Sequence, residues 1–377
     1  MSGGPLAGTT VIELAGIGPG PFAGMMLADM GADVILVERP GHGPIPAEMA
    51  HRGKRSIGID LKRPEGVEVV LRMVERADAL IEGFRPGVTE RLGIGPDDCW
   101  AENPALVYGR VTGWGQHGPL SQAAGHDINY ISIAGALAHM GRAGDKPTPA
   151  INLVGDFGGG GMLLVVGVLA ALIDAKASGR GQVVDAAMVD GAALQMTMIH
   201  DLASRGAWTD ERGANLLDTG APFYDSYETS DGGFVSVGAL EPKFFRELLA
   251  KIGFDGEQLP DQADRNQWAA LRRSLAELFA SRSRDDWAAL LEGTDACVAP
   301  VLTMSEASRH RHNIARGAFI DVGGRTQPAP APRFSRSQAP PPVSLPERGQ
   351  HARALLDELG LDASEIGNLI EENIVEA

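Results

Sequence analysis

Several stretches of this chain group glycines and ionisable side chains as chemistry would group them. Gly16-Ile17-Gly18-Pro19-Gly20-Pro21 lies between a β-rich run and a helical pattern, and Glu38 closes the next β-rich run. In a dinucleotide fingerprint such glycines let a pyrophosphate approach a helix N-terminus, and an acid about 20 residues on binds the ribose. Pro21, a first-turn residue, stands where the third glycine would pack helix on strand. The pattern therefore also describes a tight turn that approaches some other ligand. A second grouping is basic: His51-Arg52-Gly53-Lys54-Arg55, then Lys62 and Arg63, with Arg85 and Arg91 further on. The chain has 33 Lys plus Arg against 49 Asp plus Glu. Cations clustered on so acidic a chain form either an anion grip, Arg pairing with phosphate through its fork of donors, or a solvated face. No P-loop is present, which leaves ATP chemistry unsupported.

Two further stretches carry potential proton-transfer groups. Gly125-His126-Asp127-Ile128-Asn129-Tyr130 falls in a loop-rich region, where a single His is either structural or catalytic. Asp156 precedes four consecutive glycines and an apolar run, the place of an N-cap. Glycines in a helix interior cost roughly 0.5–1 kcal/mol each, so something other than helix formation favours them. Either a ligand approaches the backbone there, with N–H groups free for an oxyanion, or another backbone packs against it. His310 and His312 have no carboxylate at metal spacing and no HExxH occurs, so no metal is expected. The absence of GxSxG weighs against an α/β-hydrolase.

The elements that must position these groups alternate over the first 115 residues. TVIEL (10–14), DVILVE (33–38), SIGIDL (56–61) and ALIEGF (79–84) are strand-like, separated by helical patterns such as PFAGMMLADM and EGVEVVLRMVERA. This rhythm predicts an α/β fold with a doubly wound parallel sheet. A loop region follows at 115–157, then a Gly-rich helix at 157–176. A small α+β domain is expected over 221–325, after a linker at 191–220, with GGFVSVGAL as a strand and PKFFRELLAKIG as a helix. Residues 326–346 hold seven prolines and predict an extended connector to closing helices. The large domain is then 1–190 plus 330–377.

Composition bounds partners and compartment. A net charge of −16 argues against nucleic acid as the main partner. The longest apolar run, Phe157–Ile173, has 17 residues and five glycines, short of the ~20 that a membrane span needs. A buried helix is expected instead, with no membrane partner. The N-terminal residues lack a basic region and do not read as a signal peptide. Two distant cysteines, Cys99 and Cys297, predict no disulfide framework and suit a reducing cytoplasm.

Taken in order, residues 11–40, 52–62, 80–96, 111–135, 153–162, 179–191, 220–244 and the late PRFSR (332–336) resemble the family III CoA-transferase superfamily and, within it, the α-methylacyl-CoA racemases. The resemblance implies a large Rossmann-like domain built from both chain ends, a small domain, and an interlocked homodimer. It implies that CoA enters as part of an acyl-CoA substrate, with no prosthetic group. It turns the glycine turn at Ile17 into part of a CoA pocket, and Arg85, Arg91, Arg39, Arg52, Lys54 and Lys62 into its diphosphate grip, joined by Gly125, Asp127 and Tyr130. By the same resemblance His126 and Asp156 are an acid/base pair, and Glu241 bonds the histidine across the subunit interface. Met188, Met196 and Met198 offer a yielding acyl surface or ordinary core. Transferases of the superfamily use the same aspartate as a covalent nucleophile, so the implied activity is 2-methylacyl-CoA racemisation through an enolate, in lipid metabolism, with CoA transfer through Asp156 as the alternative.

Overall fold

The computed structural model describes residues 3–41, 48–254, 261–342 and 344–377. Position 343 of the proline-rich stretch is outside them. The chain divides into two compact units, one of Met1–Ala134, Ile151–Gln195 and Ile314–Ala377, the other of Gly135–Ala150 and Met196–Asn313.

In the first unit the chain runs β1 (Thr10–Leu14), α1 (Pro19–Asp29), β2 (Asp33–Glu38), β3 (Lys54–Ile59), α2 (Pro64–Val74), β4 (Ala79–Glu82), α3 (Val88–Leu92), α4 (Pro96–Glu102), β5 (Val107–Thr112) and α5 (Asp127–Ile133). A π-helical turn, Leu153–Gly161, leads into α6 (Met162–Ser178), then β6 (Val183–Ala187) and α7 (Met188–Gln195). Strands β1 to β6 pair in parallel in the order 3-2-1-4-5-6. That is a doubly wound order, with its switch point between β1 and β4, where a crevice opens outside the strand C-termini.

Alternation along each strand splits the core. Ile12, Ile35, Ile57 and Leu80 face α2 and the C-terminal helices, while Val11, Val34, Ala79 and Val107 pack with Leu27, Leu164 and Val168 of α1 and α6. The apolar helix differs from its expected form. It is one continuous helix, Leu153–Ser178, of 26 residues, long and apolar enough to cross a membrane by length and composition. Its Leu164, Val165, Val168, Ala171 and Leu172 are nevertheless core residues. Asp156 sits inside its π turn and not at an N-cap.

The longer segment of the second unit opens with α8 (Thr197–Ser204), so part of the expected linker is helical. An antiparallel sheet of β7 (Tyr224–Glu228), β8 (Phe234–Gly238) and β9 (Val298–Pro300) packs with α9 (Pro242–Ile252), α10 (Trp268–Phe279) and α11 (Arg284–Leu291) around Phe223, Tyr227, Phe245, Leu275, Phe279 and Trp287. Short helices α12 (Met304–Ala307) and α13 (Arg311–Arg316) lead to the hairpin β10 (Phe319–Val322) and β11 (Arg325–Pro328). The start of the proline-rich stretch is thus a strand; the rest of its described residues form no helix or strand. That hairpin already belongs to the first unit, which resumes at Ile314 and ends with helices α14 (Ala352–Glu358) and α15 (Ala363–Glu371) and strand β12 (Val375–Glu376), antiparallel to β3.

Candidate active site

The glycine turn after β1 enters α1 through Gly18, whose positive φ of 68° a side chain would strain, with Pro19 in the first turn. Its backbone runs so near the π turn that a Cβ built on Gly18 would stand 3.7 Å from Asp156 Oδ2. Ile17 is 77% exposed on that turn. Glu38, the fingerprint's acid, accepts a hydrogen bond from the Ser56 hydroxyl.

His126 is exposed and caps the start of α5; its N–H donates to Asn129 Oδ1 at 3.1 Å. Asp156 is half-buried and accepts from Asn152 Nδ2 at 3.1 Å. Burial raises its proton affinity above the ordinary aspartate range; the Asn152 hydrogen bond opposes this, the Asp127 charge adds to it, and nearby His126 opposes it. His126 and Asp156 therefore stand within electrostatic reach of one another. Tyr130 is buried beside them, its hydroxyl donating to Gly125 O and its ring edge-on to Trp114 at 4.8 Å. Desolvation, followed by the charge of Asp156, raises the Tyr130 phenol, while Arg85 lowers it, so Arg85 belongs to the same neighbourhood.

Asp127, expected to contact the ligand, turns its side chain to the protein. Its side chain is buried, and Oδ1 accepts the N–H groups of Gly155 and Asp156 at 2.6 and 2.8 Å. The glycine run likewise faces protein. A Cβ on Gly159 would meet Ala192 N at 2.8 Å and Met188 O at 3.0 Å; one on Gly161 would meet Phe22 at 2.8 Å and Pro19 O at 3.0 Å. Of the two readings of these glycines, close packing against α7 and α1 is the one realised. Met188 is buried in this packing, whereas Met198 is exposed on α8 of the second unit.

The basic residues divide by strand end. Lys62 follows the C-terminus of β3 and lines, with Arg63 and Arg91, a cavity of about 620 Å³ between Leu61–Leu71 and Glu90–Gly93. Lys62, Arg91, Arg85 and Arg39 are exposed, and among the described residues none of the four makes an ion pair. Arg52 and Lys54 correct the expected grip. They stand at the N-terminal end of β3, and the side chains of both are internal. Arg52 pairs with Asp29 at 2.6 Å and donates to Gln327 Oε1 and Pro328 O. Lys54 Nζ pairs with Glu13 at 2.6 Å and donates to Pro21 O at 3.0 Å. Both side chains are buried, so neither presents its charge to solvent where a phosphate could be held.

A buried guanidinium organises the segment that presents Arg85 and Arg91. Arg110 on β5 approaches Glu82 Oε1 at 3.2 Å and donates to Glu90 Oε1 at 2.6 Å and Thr89 Oγ1 at 3.1 Å; Glu82 Oε2 accepts the Phe84 N–H at 2.6 Å. Sequence reasoning missed Arg110 and Glu82, which carry no motif, and Asn152, whose signal was its place four residues before Asp156. Glu241 lies in the second unit, exposed at the N-cap of α9. Among the described residues no cluster of His, Cys, Asp and Glu could hold a metal ion.

Known proteins are similar to this chain over nearly its whole length. The chain is similar to alpha-methylacyl-CoA racemase of Mus musculus, at 45% identity over 99% of this chain and 98% of the relative, and to that of Homo sapiens, at 42% over the same shares. A crystal structure of a CAIB/BAIF family protein from Brucella suis superposes with a TM-score of 0.82 at 29% identity, covering 95% of this chain and 100% of that one. The model of CoA-transferase family III matches residues 6–352. Matched over nearly its whole length by the family and by these relatives, the chain belongs to CoA-transferase family III.

Proposed function

We propose that the chain is a homodimeric racemase that inverts the α carbon of 2-methylacyl-CoA thioesters by 1,1-proton transfer. The reading is supported by an Asp156 whose proton affinity is raised by burial and which lies within electrostatic reach of His126, in a chain 45% identical to a named racemase. Inversion removes the α proton on one face and returns one on the other, through a planar enolate. In one direction Asp156 takes the proton and protonated His126 donates; in the reverse direction His126 takes it and protonated Asp156 donates. A carboxyl displaced upward toward the imidazole range suits a pair that exchanges roles. The enolate oxygen accepts from an N–H at the start of α5, that of Asp127, an interaction worth about 2.7–4 kcal/mol per donor.

CoA arrives with the substrate, so the thiol is the substrate's own. Lys62, Arg85, Arg91 and Arg39, which make no ion pair among the described residues, hold its phosphates. Glu241 of a second copy orients the His126 imidazole and stabilises its cation. The interlocked dimer is supported by the exposed apolar row Met162, Val166 and Ile173 on α6, with Val183 beside it on the edge strand β6. We place the reaction in lipid metabolism and in a reducing cytoplasm, in keeping with two free cysteines.

The test is incubation of one enantiomer of a 2-methylacyl-CoA in D₂O. Deuterium enters the α carbon as optical purity falls, and His126→Ala abolishes uptake while CoA still binds. Failure of the wild-type chain to exchange the α proton defeats the proposal. Hydroxylamine trapping of an acyl or CoA adduct on Asp156 instead selects the transferase chemistry.

A further inference from the structure

One carboxylate joins the two halves of the proton-transfer pair. Asp127 follows His126 in the chain, opens α5, and is only 4% exposed. Its Oδ1 receives the N–H groups of both Gly155 and Asp156, from a segment 28 and 29 residues away. Those N–H groups belong to the opening of the π turn, where backbone donors lack acceptors within the helix. The approach is close enough that a Cβ on Gly155 would lie 2.5 Å from Asp127 Oδ1. Oδ2 is buried and has no hydrogen-bond partner among the described residues. Asp127 is itself held still, because Asn129 closes the start of α5: its N–H donates to His126 O at 2.7 Å, and its Oδ1 accepts the His126 N–H. From His126 to the backbone of Asp156 the connection is one peptide unit and one carboxylate.

We infer, resting on the racemase reading, that Asp127 is a positioning residue whose carboxylate braces the π turn and so sets the separation of His126 and Asp156. Its charge has a second effect. After burial and against the Asn152 hydrogen bond, it contributes to holding the Asp156 carboxyl above the ordinary aspartate range, which narrows the gap to an imidazole and favours transfer in both directions. A helix cap with no other duty would stabilise the fold but leave the titration of Asp156 where it was.

Two variants separate the effects. Asp127→Asn keeps an oxygen for both N–H groups and removes the charge; Asp127→Ala removes both. Hydrogen–deuterium exchange of the free protein, read by mass spectrometry over residues 153–161, is expected to speed up in Asp127→Ala and stay protected in Asp127→Asn. In the α-deuterium assay Asp127→Ala is expected to lose about 10²-fold in rate, the cost of a misplaced reacting group, with CoA affinity retained. In Asp127→Asn the acid limb of the pH–rate profile, measured in the direction where Asp156 is the base, is expected to move to lower pH. Wild-type protection in Asp127→Ala, or an unmoved acid limb in Asp127→Asn, overturns the inference. If Asp127→Ala does not fold, the Asp127→Asn profile decides. If the wild-type chain takes up no α-deuterium, it is the racemase reading that fails, and the exchange of residues 153–161 still decides whether Asp127 braces the turn.

Discussion

Gly191→Ala is a sharp test of how the site is held, although residue 191 contacts no proposed ligand. At Gly191 helix α7 crosses the π turn backbone on backbone. A Cβ there would lie 2.0 Å from Gly159 O and 2.5 Å from Gly159 Cα. Both obstacles are main chain, so no side-chain rotation relieves them. Restoring a tolerable contact requires the turn and the helix to separate by about 1 Å, an overpacking strain that typically costs 1–3 kcal/mol. The same turn carries Asp156, three residues before Gly159, and a ~1 Å displacement of a reacting group costs about 10²-fold in rate. The expected outcome is a drop of that size in α-deuterium uptake at saturating substrate, together with a lower unfolding midpoint in urea. CoA affinity, measured by calorimetry, stays at its wild-type value, because Lys62, Arg85 and Arg91 follow other strands. Wild-type uptake in a variant of wild-type stability would refute the argument that this backbone crossing positions Asp156.

Lys54→Met leaves the Glu13 carboxylate buried without its partner and is expected to destabilise the chain by about 3–5 kcal/mol in urea unfolding. Adding Glu13→Gln recovers much of the loss, and a double variant no better than the single one contradicts the pairing. Arg91→Ala is expected to weaken CoA binding by about 10–10²-fold, the worth of a charge-assisted hydrogen bond, and to flatten its salt dependence. An unchanged Kd removes Arg91 from the grip. Burial pushes the Glu82 carboxyl up to about 7 from an ordinary 4.5, against the Phe84 N–H and Arg110. The folded chain therefore keeps a proton that the unfolded chain releases. Its contribution is complete below about pH 4.5 and is lost as pH rises through about 7, an excursion of about 3 kcal/mol. The difference in unfolding free energy between wild type and Glu82→Gln is expected to decline across that window; a flat difference refutes the assignment.

Periodic features were legible in the chain because they are local. The β/α alternation over the first 115 residues appears as the strand order 3-2-1-4-5, and Lys62 and Arg91, 29 residues apart, line one cavity. Where a residue's partner lies far along the chain, the local pattern misled. Arg52 and Lys54 belong to the same basic run as Lys62, yet their partners are Asp29, Gln327 and Glu13. Asp156 looked like an N-cap from the glycines behind it, but the turn that holds it is π-helical and is itself capped by Asp127. Gln327 lies in a proline-rich stretch read as a connector, and only the hairpin of β10 and β11 brings it to Arg52.

By itself the sequence determined which groups are present and which predicted element each follows: His126, Asp156 and the basic residues from 51 to 63 with Arg85 and Arg91. It also determined that no metal or disulfide chemistry was expected, through residue types and spacings that need no partner to be recognised. Only the tertiary structure decided which charges are spent inside the protein and which remain for a ligand. Only it decided that the four glycines pack against α7 and α1, and that Asp127 serves the backbone of Asp156. The physical reason is that an ionisable side chain acquires its role from its surroundings. The same carboxylate is a ligand contact when solvated and a brace when buried against two N–H groups, and residues 28 and 29 positions away supply that difference.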